Sequence, residues 1–362
     1  MKNTFGNHLT VTLFGESHGP SVGVVIDGLT PGLDVDEAMI ATLLSRRRPD
    51  GAISTARREM DRFVIESGVF NGKTTGTPLC IRIPNEDVRS ADYDGRERMA
   101  RPGHADVSAW YKYHGYEDYR GGGHFSGRVT AALVAAAGIV MPALEKKGIR
   151  IATHILRIGD VKDRSFTDVL QDVAGIHTDF PVLDETMKEP MKERILAAKA
   201  DGDSIGGVLE TAVVGVPAGV GEPWFDTVEG MLAHALFSIP AIKGVEFGDG
   251  FAMADVRGSE ANDAWYMHNG PVTQTNHNGG VNGGITNGMP LVFRCAVKPT
   301  PTIAKEQDSI SLTTGKEGKI TAGGRHDPCI AHRAAVVVDA VAALALCDLL
   351  IGRYGTDWLG EI

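Results

Sequence analysis

Residues 119–144 read Y-R-G-G-G-H-F-S-G-R-V-T-A-A-L-V-A-A-A-G-I-V-M-P-A-L, and the second half of this stretch decides the architecture. From Thr130 to Leu144 there is no charged side chain and no polar stripe. Alanine and leucine favour a helix, and Ser126 stands where an N-cap would. A helix that is apolar on every side must be covered on every side. A second segment, Ala334–Ile351, interrupted only by Asp339 and Asp348, has the same character. The cover has to come from strands. These are predicted at Val11–Phe14, Val22–Asp27, Arg62–Phe70 and Leu79–Pro84, then at Ile149–Ile158, Val208–Val216, Val245–Val256 and Pro290–Val297. Because they do not alternate regularly with helices, a doubly wound parallel sheet is disfavoured. The expectation is an α+β chain in which central buried helices lie between antiparallel sheets, a β-α-β sandwich, with residues 1–362 forming a single domain.

Other helices are predicted from a cap at Asp34 or Asp36 to Arg47, over Thr227–Ser238, over Ala331–Tyr354, and in two pieces within the acidic stretch 161–203. With 362 residues and 43% hydrophobic content the chain can bury a large core. Met1–Leu9 is polar and carries no apolar leader, so a cytoplasmic protein without a membrane segment is expected. Cys80, Cys295, Cys329 and Cys347 are scattered, which argues against a disulfide framework or a zinc ribbon and suits a reducing compartment. The net charge of -10 disfavours nucleic acid as a partner. Positive charge is nevertheless clustered, at Arg46, Arg47, Arg48, Arg57, Arg58 and Arg62, and again at Arg96, Arg98 and Arg101. An acidic chain with local arginine clusters suits a small polyanionic substrate, because guanidinium groups bind phosphate and carboxylate with two prongs.

Several motifs carry groups able to do chemistry. Gly121–Gly123, flanked by Arg120 and Arg128 and opening onto a helix start, can let a ligand approach the backbone and hold an anion. The segment G-E-S-H-G (15–19) formally matches the G-x-S-x-G elbow of serine hydrolases, but a strand and not a helix is predicted after it, which disfavours Ser17 as a nucleophile. His18 on that turn is a candidate general acid, since imidazole titrates near ~6.5. In R-P-G-H-A-D (101–106), Asp106 is close enough to fix the tautomer of His104. In G-G-R-H-D-P-C-I-A-H-R (323–333), an arginine and an acid stand at the mouth of a buried helix, and no metal-ligand spacing is present. The loop 275–288, with five glycines, and K-P-T-P-T (298–302) match no nucleotide-binding fingerprint.

Together these pieces resemble the chorismate synthase family. F-G-E-S-H-G (14–19), R-R-R-P (46–49), R-P-G-H-A-D (101–106), D-Y-R-G-G-G (118–123), G-D-S-I-G-G (202–207), G-V-P-A-G-V-G-E-P (215–223), K-G-V-E-F-G-D-G-F (243–251), N-G-G-V-N-G-G-I-T-N-G (278–288), K-P-T (298–300) and G-R-H-D-P-C (324–329) occur in that family's order. The resemblance implies a lyase of aromatic amino-acid biosynthesis that converts 5-enolpyruvylshikimate 3-phosphate to chorismate by anti-1,4-elimination of phosphate. It further implies a requirement for reduced FMN and a homotetramer. By motif position it implies that His18 protonates the leaving phosphate and His104 the reduced flavin. Asp327, relayed through Ser17 and Ser126, would help to remove the C6 proton. It places the substrate's anionic groups on Arg47, Arg101, Arg128 and Arg325. It places flavin contacts on His124, Phe125, Ser126, Pro240, Ala241, Gly283, Lys298, Pro299, Thr300, Pro301, Thr302 and Arg325. No added segment suggests an NAD(P)H-dependent flavin reductase, so a separate reductase is expected to supply the cofactor.

The sequence departs from the family's usual R-G-G-G-R-S-S-A-R-E-T at His124, Phe125 and Val129. It has Asp50 where a glycine is usual, and the arginine that usually follows has no counterpart around Ile53, where the segment is one residue shorter, a loss that Arg57 or Arg58 is expected to offset. The last helix also opens differently, with I-A-H-R-A-A. These departures keep open a second reading, a flavin-binding relative without turnover, beside the disfavoured hydrolase.

Overall fold

The computed structural model describes residues 2–49, 51–55, 59–86, 98–176, 180–321 and 326–360. The N-terminal strand segments alternate as a half-buried sheet requires: Leu79, Ile81 and Ile83 are fully buried, whereas Cys80 and Arg82 between them are not. Among the described residues they form a five-stranded antiparallel sheet in the order Thr4–Phe5, Thr10–Gly15, Ser21–Asp27, Leu79–Pro84, Val64–Ser67. A second five-stranded antiparallel sheet has the order Ile242–Phe247, Leu291–Val297, Gly207–Val214, Arg150–Ile158, Val161–Lys162. The fold is α+β.

Helices Thr130–Lys146 and Ala331–Tyr354 pack on each other between the sheets. The first lies against Ser21–Asp27 and Leu79–Pro84, the second against Arg150–Ile158 and Gly207–Val214. Both are long and apolar enough to cross a membrane by composition, but most of each is buried within the protein. Alanine and glycine on the first helix permit the close approach. A Cβ on Gly138 would come within 2.7 Å of the Ile40 side chain on helix Glu37–Arg47. Asp36 caps that third helix by accepting from the backbone N–H groups of Ala38 (2.9 Å) and Met39 (3.1 Å).

The two acids that interrupt the last helix are fastenings. Asp339 is buried 3.7 Å from Arg46, and burial pushes its carboxyl up to about 6. Asp348 accepts from the backbone N–H groups of Asn7 (3.0 Å), His8 (2.6 Å) and Leu9 (2.9 Å), tying the N-terminal segment to the last helix.

Most predicted elements are found within a residue or two. The strand expected over Val245–Val256 is shorter. It runs Ile242–Phe247 and gives way at Gly248 and Gly250, both at positive φ, to a short 3-10 helix, Gly250–Asp255. The strand expected over Arg62–Phe70 is likewise broken at Gly68, where φ is 83°. The glycine-rich stretch 275–288 holds a small hairpin, Val281–Asn282 with Ile285–Thr286, turning on Gly283 and Gly284. The acidic stretch 161–203 contains the two expected helices, Val169–Gly175 and Lys188–Ala200.

One row of the second sheet is charged and largely buried. His154, Glu210, Arg294 and Glu246 are cross-strand neighbours on four adjacent strands. His154 Nε2 is 3.0 Å from Glu210, its Nδ1 is 3.5 Å from Asp163, and Arg294 Nε donates to Glu210 at 2.8 Å. Burial alone would lower the pKa of His154, but Asp163 and Glu210 outweigh it and raise the value. For both carboxylates burial raises and His154 lowers, and the net direction is down. The histidine's contribution is complete below its unfolded value of about 6.5 and is lost as pH rises through the raised folded value. The carboxylates' contribution is complete above about 4.3 and is lost as pH falls. Folding stability should therefore be highest between these limits. In urea titrations across pH, His154→Gln should remove the decline on the alkaline side; an unchanged alkaline slope would exclude the histidine as its source.

Candidate active site

The glycine loop and the turn at residues 16–19 are built into each other. Gly121, Gly122 and Gly123 have φ of 58°, 87° and 53°, a left-handed run that side-chain-bearing residues resist. The loop enters from Asp118, whose carboxylate holds the backbone N–H and guanidinium of Arg120. It leaves through Ser126, whose hydroxyl accepts from Arg128 N and caps the turn that leads into helix Thr130–Lys146. Ser17 N donates to Gly123 O at 3.1 Å, and His124 Nδ1 donates to Gly15 O at 2.7 Å. Thr10–Gly15 and Ser21–Asp27 are the strands on either side of that turn, so the strand-turn-helix order of a hydrolase elbow is absent.

Four expected catalytic side chains meet on the bare faces of these glycines. A Cβ on Gly121 would strike the His18 ring at 2.1 Å and lie 3.1 Å from Ser17 Oγ. One on Gly122 would lie 3.3 Å from His104 Nε2 and 3.7 Å from Ser126 Cβ. The fifth, Asp327, stands elsewhere. It accepts from Thr55 N at 2.9 Å and from Arg333 Nη1 at 2.5 Å, while Arg333 Nε donates to Arg47 O. The expected relay contact from Asp327 to Ser17 or Ser126 is not made among the described residues.

His104 is oriented by its own segment. Its Nδ1 is 2.9 Å from Asp106 Oδ1, and Arg101 grips the same carboxylate through Nε (2.8 Å) and Nη2 (2.7 Å). Burial alone would raise the Asp106 carboxyl, but Arg101 and His104 outweigh it and hold it well below the usual range. Nδ1 also lies 3.1 Å from Arg101 Nη2, so this nitrogen is taken up within the segment and Nε2 is the one turned to Gly122.

The arginines expected to meet substrate are paired with the chain's own carboxylates. Arg47 Nη2 donates to Asp61 at 2.7 Å. Arg128 is buried with every nitrogen engaged: Nη1 by Asp61 and by Glu59 at 2.6 Å, Nη2 by Pro84 O, and Nε by Asn85 Oδ1. Asp61 itself sits at φ 53°. Glu59, Asp61 and Asn85 escaped the sequence reading. The available signals were an acidic pair two residues apart inside the arginine-rich span, and an asparagine directly after a proline-terminated strand. Arg325 lies outside the described residues, as do Asp50, Arg57 and Arg58.

Among the expected flavin contacts, Lys298–Thr302 and Ala241 are neighbours: Lys298 N donates to Ala241 O at 2.9 Å, and Ala241 has φ 76°. Lys298 Nζ reaches Gly103 O, and Ser204 Oγ donates to Thr300 O at 2.7 Å. Lys298, Pro299, Thr300, Pro301 and Ser204 line a cleft of about 350 Å³ with Pro102 and Gly103, next to His104 in the chain. Thr300 Oγ1 is buried there with no partner among the described residues. Phe125 packs edge-on against Tyr113, with ring centres 6.0 Å apart. Gly283 is at the tip of its hairpin, and a Cβ there would have nothing within 4 Å.

The chain matches the family model for chorismate synthase over residues 9–351. It belongs to the chorismate synthase family. The chorismate synthase of Pyrococcus abyssi is 48% identical over 96% of this chain and 97% of its own length. That of Chitinophaga pinensis is 47% identical, covering 96% of each chain. A chorismate synthase crystal structure superposes with a TM-score of 0.76 at 30% identity, covering 98% of this chain and 94% of its own. The activity is that of the family, a carbon–oxygen lyase reaction of the shikimate pathway that eliminates phosphate from 5-enolpyruvylshikimate 3-phosphate to give chorismate. The family's reaction is flavin-dependent.

Proposed function

We propose that this chain performs the elimination at the glycine loop, with His18 as the acid that delivers a proton to the departing phosphate. The observation that carries this assignment is the convergence of His18, Ser17, His104 and Ser126 on Gly121 and Gly122. The substrate loses phosphate from C3 and a proton from C6 as a ring double bond forms. Side chains here hold and move protons: Nε2 of His104 faces the loop while Nδ1 is turned to Asp106, and Ser17 and Ser126 share the bare faces of Gly121 and Gly122 with the two imidazoles. Asp327 orders the arginine wall through Arg333 and Thr55, and it serves the C6 proton only by way of groups between it and the serines. Arg47 and Arg101, with Arg325, meet the substrate's phosphate and carboxylates, and Arg128, its nitrogens held by Asp61, Glu59, Pro84 O and Asn85, adds its charge to that site without a direct contact.

The cofactor in this reading is reduced FMN. The residues fit it: Lys298 brings a cation and Thr300 a buried hydroxyl lacking a partner, both in the cleft bordered by Pro102 and Gly103, and Ala241, which follows Pro240 and has positive φ, adjoins Lys298. Ser126, His124, Phe125, Gly283 and Arg325 complete the proposed holding set. Bound there, reduced flavin supplies electron density that no side chain can. In this reading the chain works as one domain in a cytoplasmic homotetramer and takes its reduced flavin from a separate reductase. Four free cysteines suit a reducing compartment. The exposed Trp224, Phe225, Phe251 and Met267 suit burial between copies.

Mixed anaerobically with dithionite-reduced FMN and 5-enolpyruvylshikimate 3-phosphate, the protein should release chorismate and phosphate in equal amounts, and none with oxidised FMN. Light scattering on the same preparation should give four copies. Tight flavin binding without phosphate release would overturn the assignment in favour of the relative without turnover.

A further inference from the structure

Asn85 sits directly after the strand Leu79–Pro84, outside every motif read from the sequence. Its side-chain amide has three partners. Nδ2 donates to Glu16 O at 2.9 Å and to Gly19 O at 2.8 Å, the two ends of the turn that carries Ser17 and His18. Oδ1 accepts from Arg128 Nε at 2.9 Å. Its backbone N–H donates to Pro20 O at 3.1 Å, closing the same turn from behind. Two carbonyls on one side and a guanidinium on the other fix which end of the amide is nitrogen and which is oxygen. A single planar group thus bridges the His18 turn to Arg128, and through Asp61 to Arg47.

Other polar contacts among the described residues hold this turn from within and from the glycine loop, where His124 Nδ1 also donates to Gly15 O at 2.7 Å. Gly19 N donates to Glu16 O within it, and Ser17 N donates to Gly123 O on the glycine-loop side. Asn85 braces the opposite side. A proton donor must hold its heavy atom within about 2.6–3.2 Å of the atom it serves.

We propose that Asn85 is a positioning residue: it sets the distance between the proton donor on the 16–19 turn and the arginine cluster that receives the substrate's anionic groups. The proposal rests on the roles given above to His18 and Arg128. It assigns Asn85 no contact with substrate or flavin. Through Nδ2 its effect is on the delivery of the proton to the leaving phosphate, and only Oδ1, which holds Arg128, bears on the binding of the anion.

Asn85→Asp separates the two arms. It keeps the size of the side chain and the acceptor for Arg128, but turns an oxygen toward two carbonyl oxygens, so the turn loses both donors. The expected result is a kcat about 100-fold lower, the scale of an ångström-sized misplacement, with KM within about threefold because the arginine arm survives. The solvent deuterium isotope effect on kcat should rise as proton delivery becomes limiting. Asn85→Ala introduces no buried charge and should show the same loss of kcat and the same isotope effect, with an added rise in KM from the lost Arg128 arm. A kcat for Asn85→Asp within threefold of the parent would overturn the proposal. So would a reduced kcat with an unchanged isotope effect and a lowered melting temperature, which marks a merely structural role. His18→Ala, measured alongside, separates the two levels. If it retains the parent kcat, the reading of His18 fails. If it is inactive while Asn85→Asp is unimpaired, only the role of Asn85 fails.

Discussion

Gly121→Ala should leave a folded protein that releases phosphate at least about 100-fold more slowly, a loss typical of a displaced catalytic group. Its Cβ would fall 2.1 Å from two atoms of the His18 ring and 3.1 Å from Ser17 Oγ, closer than any real Cβ contact for the first pair. The loop cannot simply retreat, because Gly123 O is bonded to Ser17 N and His124 to Gly15 O. The imidazole is therefore the part that moves. The left-handed φ of 58° adds a backbone cost of roughly 1–2 kcal/mol, which a thermal melt should register as a modest shift and not as unfolding. Gly127→Ala is the control. Nothing lies within 4 Å of its would-be Cβ and its φ is not positive, so both stability and turnover should be retained. Full activity in Gly121→Ala would place His18 outside the reaction.

Asp61→Ala is expected to have the largest effect on stability of any single substitution at the site. The Asp61 carboxylate is fully buried and shared by Arg47 and Arg128, which are themselves nearly buried. Burial alone would raise the Asp61 pKa, but the two guanidinium charges outweigh it and lower the value, so the group is ionised at neutral pH. Removing it leaves two neighbouring cations with Glu59 as the remaining carboxylate on Arg128, and breaking a buried pair of this kind costs about 3–5 kcal/mol. Urea unfolding at pH 7 reads the loss directly. Asp61→Asn should fall between the parent and the alanine variant, because asparagine tolerates the left-handed φ and keeps one acceptor while giving up the charge. A midpoint unchanged in both variants would mean that the arginines find other partners.

What the sequence could and could not disclose follows from the range of the forces involved. Helices apolar on every side need covering on every side, so Thr130–Leu144 and Ala334–Ile351 announce a sandwich before any strand is placed. Strand ends were legible where charge or proline marks them, as at Asp27 and Pro84. They were not legible at Val245–Val256, where Gly248 and Gly250 turn the chain inside an otherwise strand-like run. Gly283 and Gly284, grouped with a loop, are the corner of a hairpin for the same local reason. The site divided similarly. Histidines beside glycines could be singled out from residue type alone, and the family resemblance supplied their roles. The destinations of Glu59, Asp61 and Asn85 could not, because each side chain is engaged by a group distant in the chain that only the tertiary fold brings near. Arg128 shows the same limit from the other direction. As a cation beside a glycine loop it suggests an anion site, yet its nitrogens are already satisfied from within.

The fastening of Asn7, His8 and Leu9 by Asp348 bears on how the protein comes into being. Its two ends are separated by 340 positions, so the ribosome makes the second long after the first. Until the last helix emerges, the second sheet lacks its main helical cover and helix Thr130–Lys146 lacks its principal neighbour. Front-to-back maturation, one portion settling while the next is translated, is closed to a chain built this way. A nascent chain halted before residue 331 would present two uncovered apolar faces at once, and the emergence of the last helix is the event that lets the whole core condense.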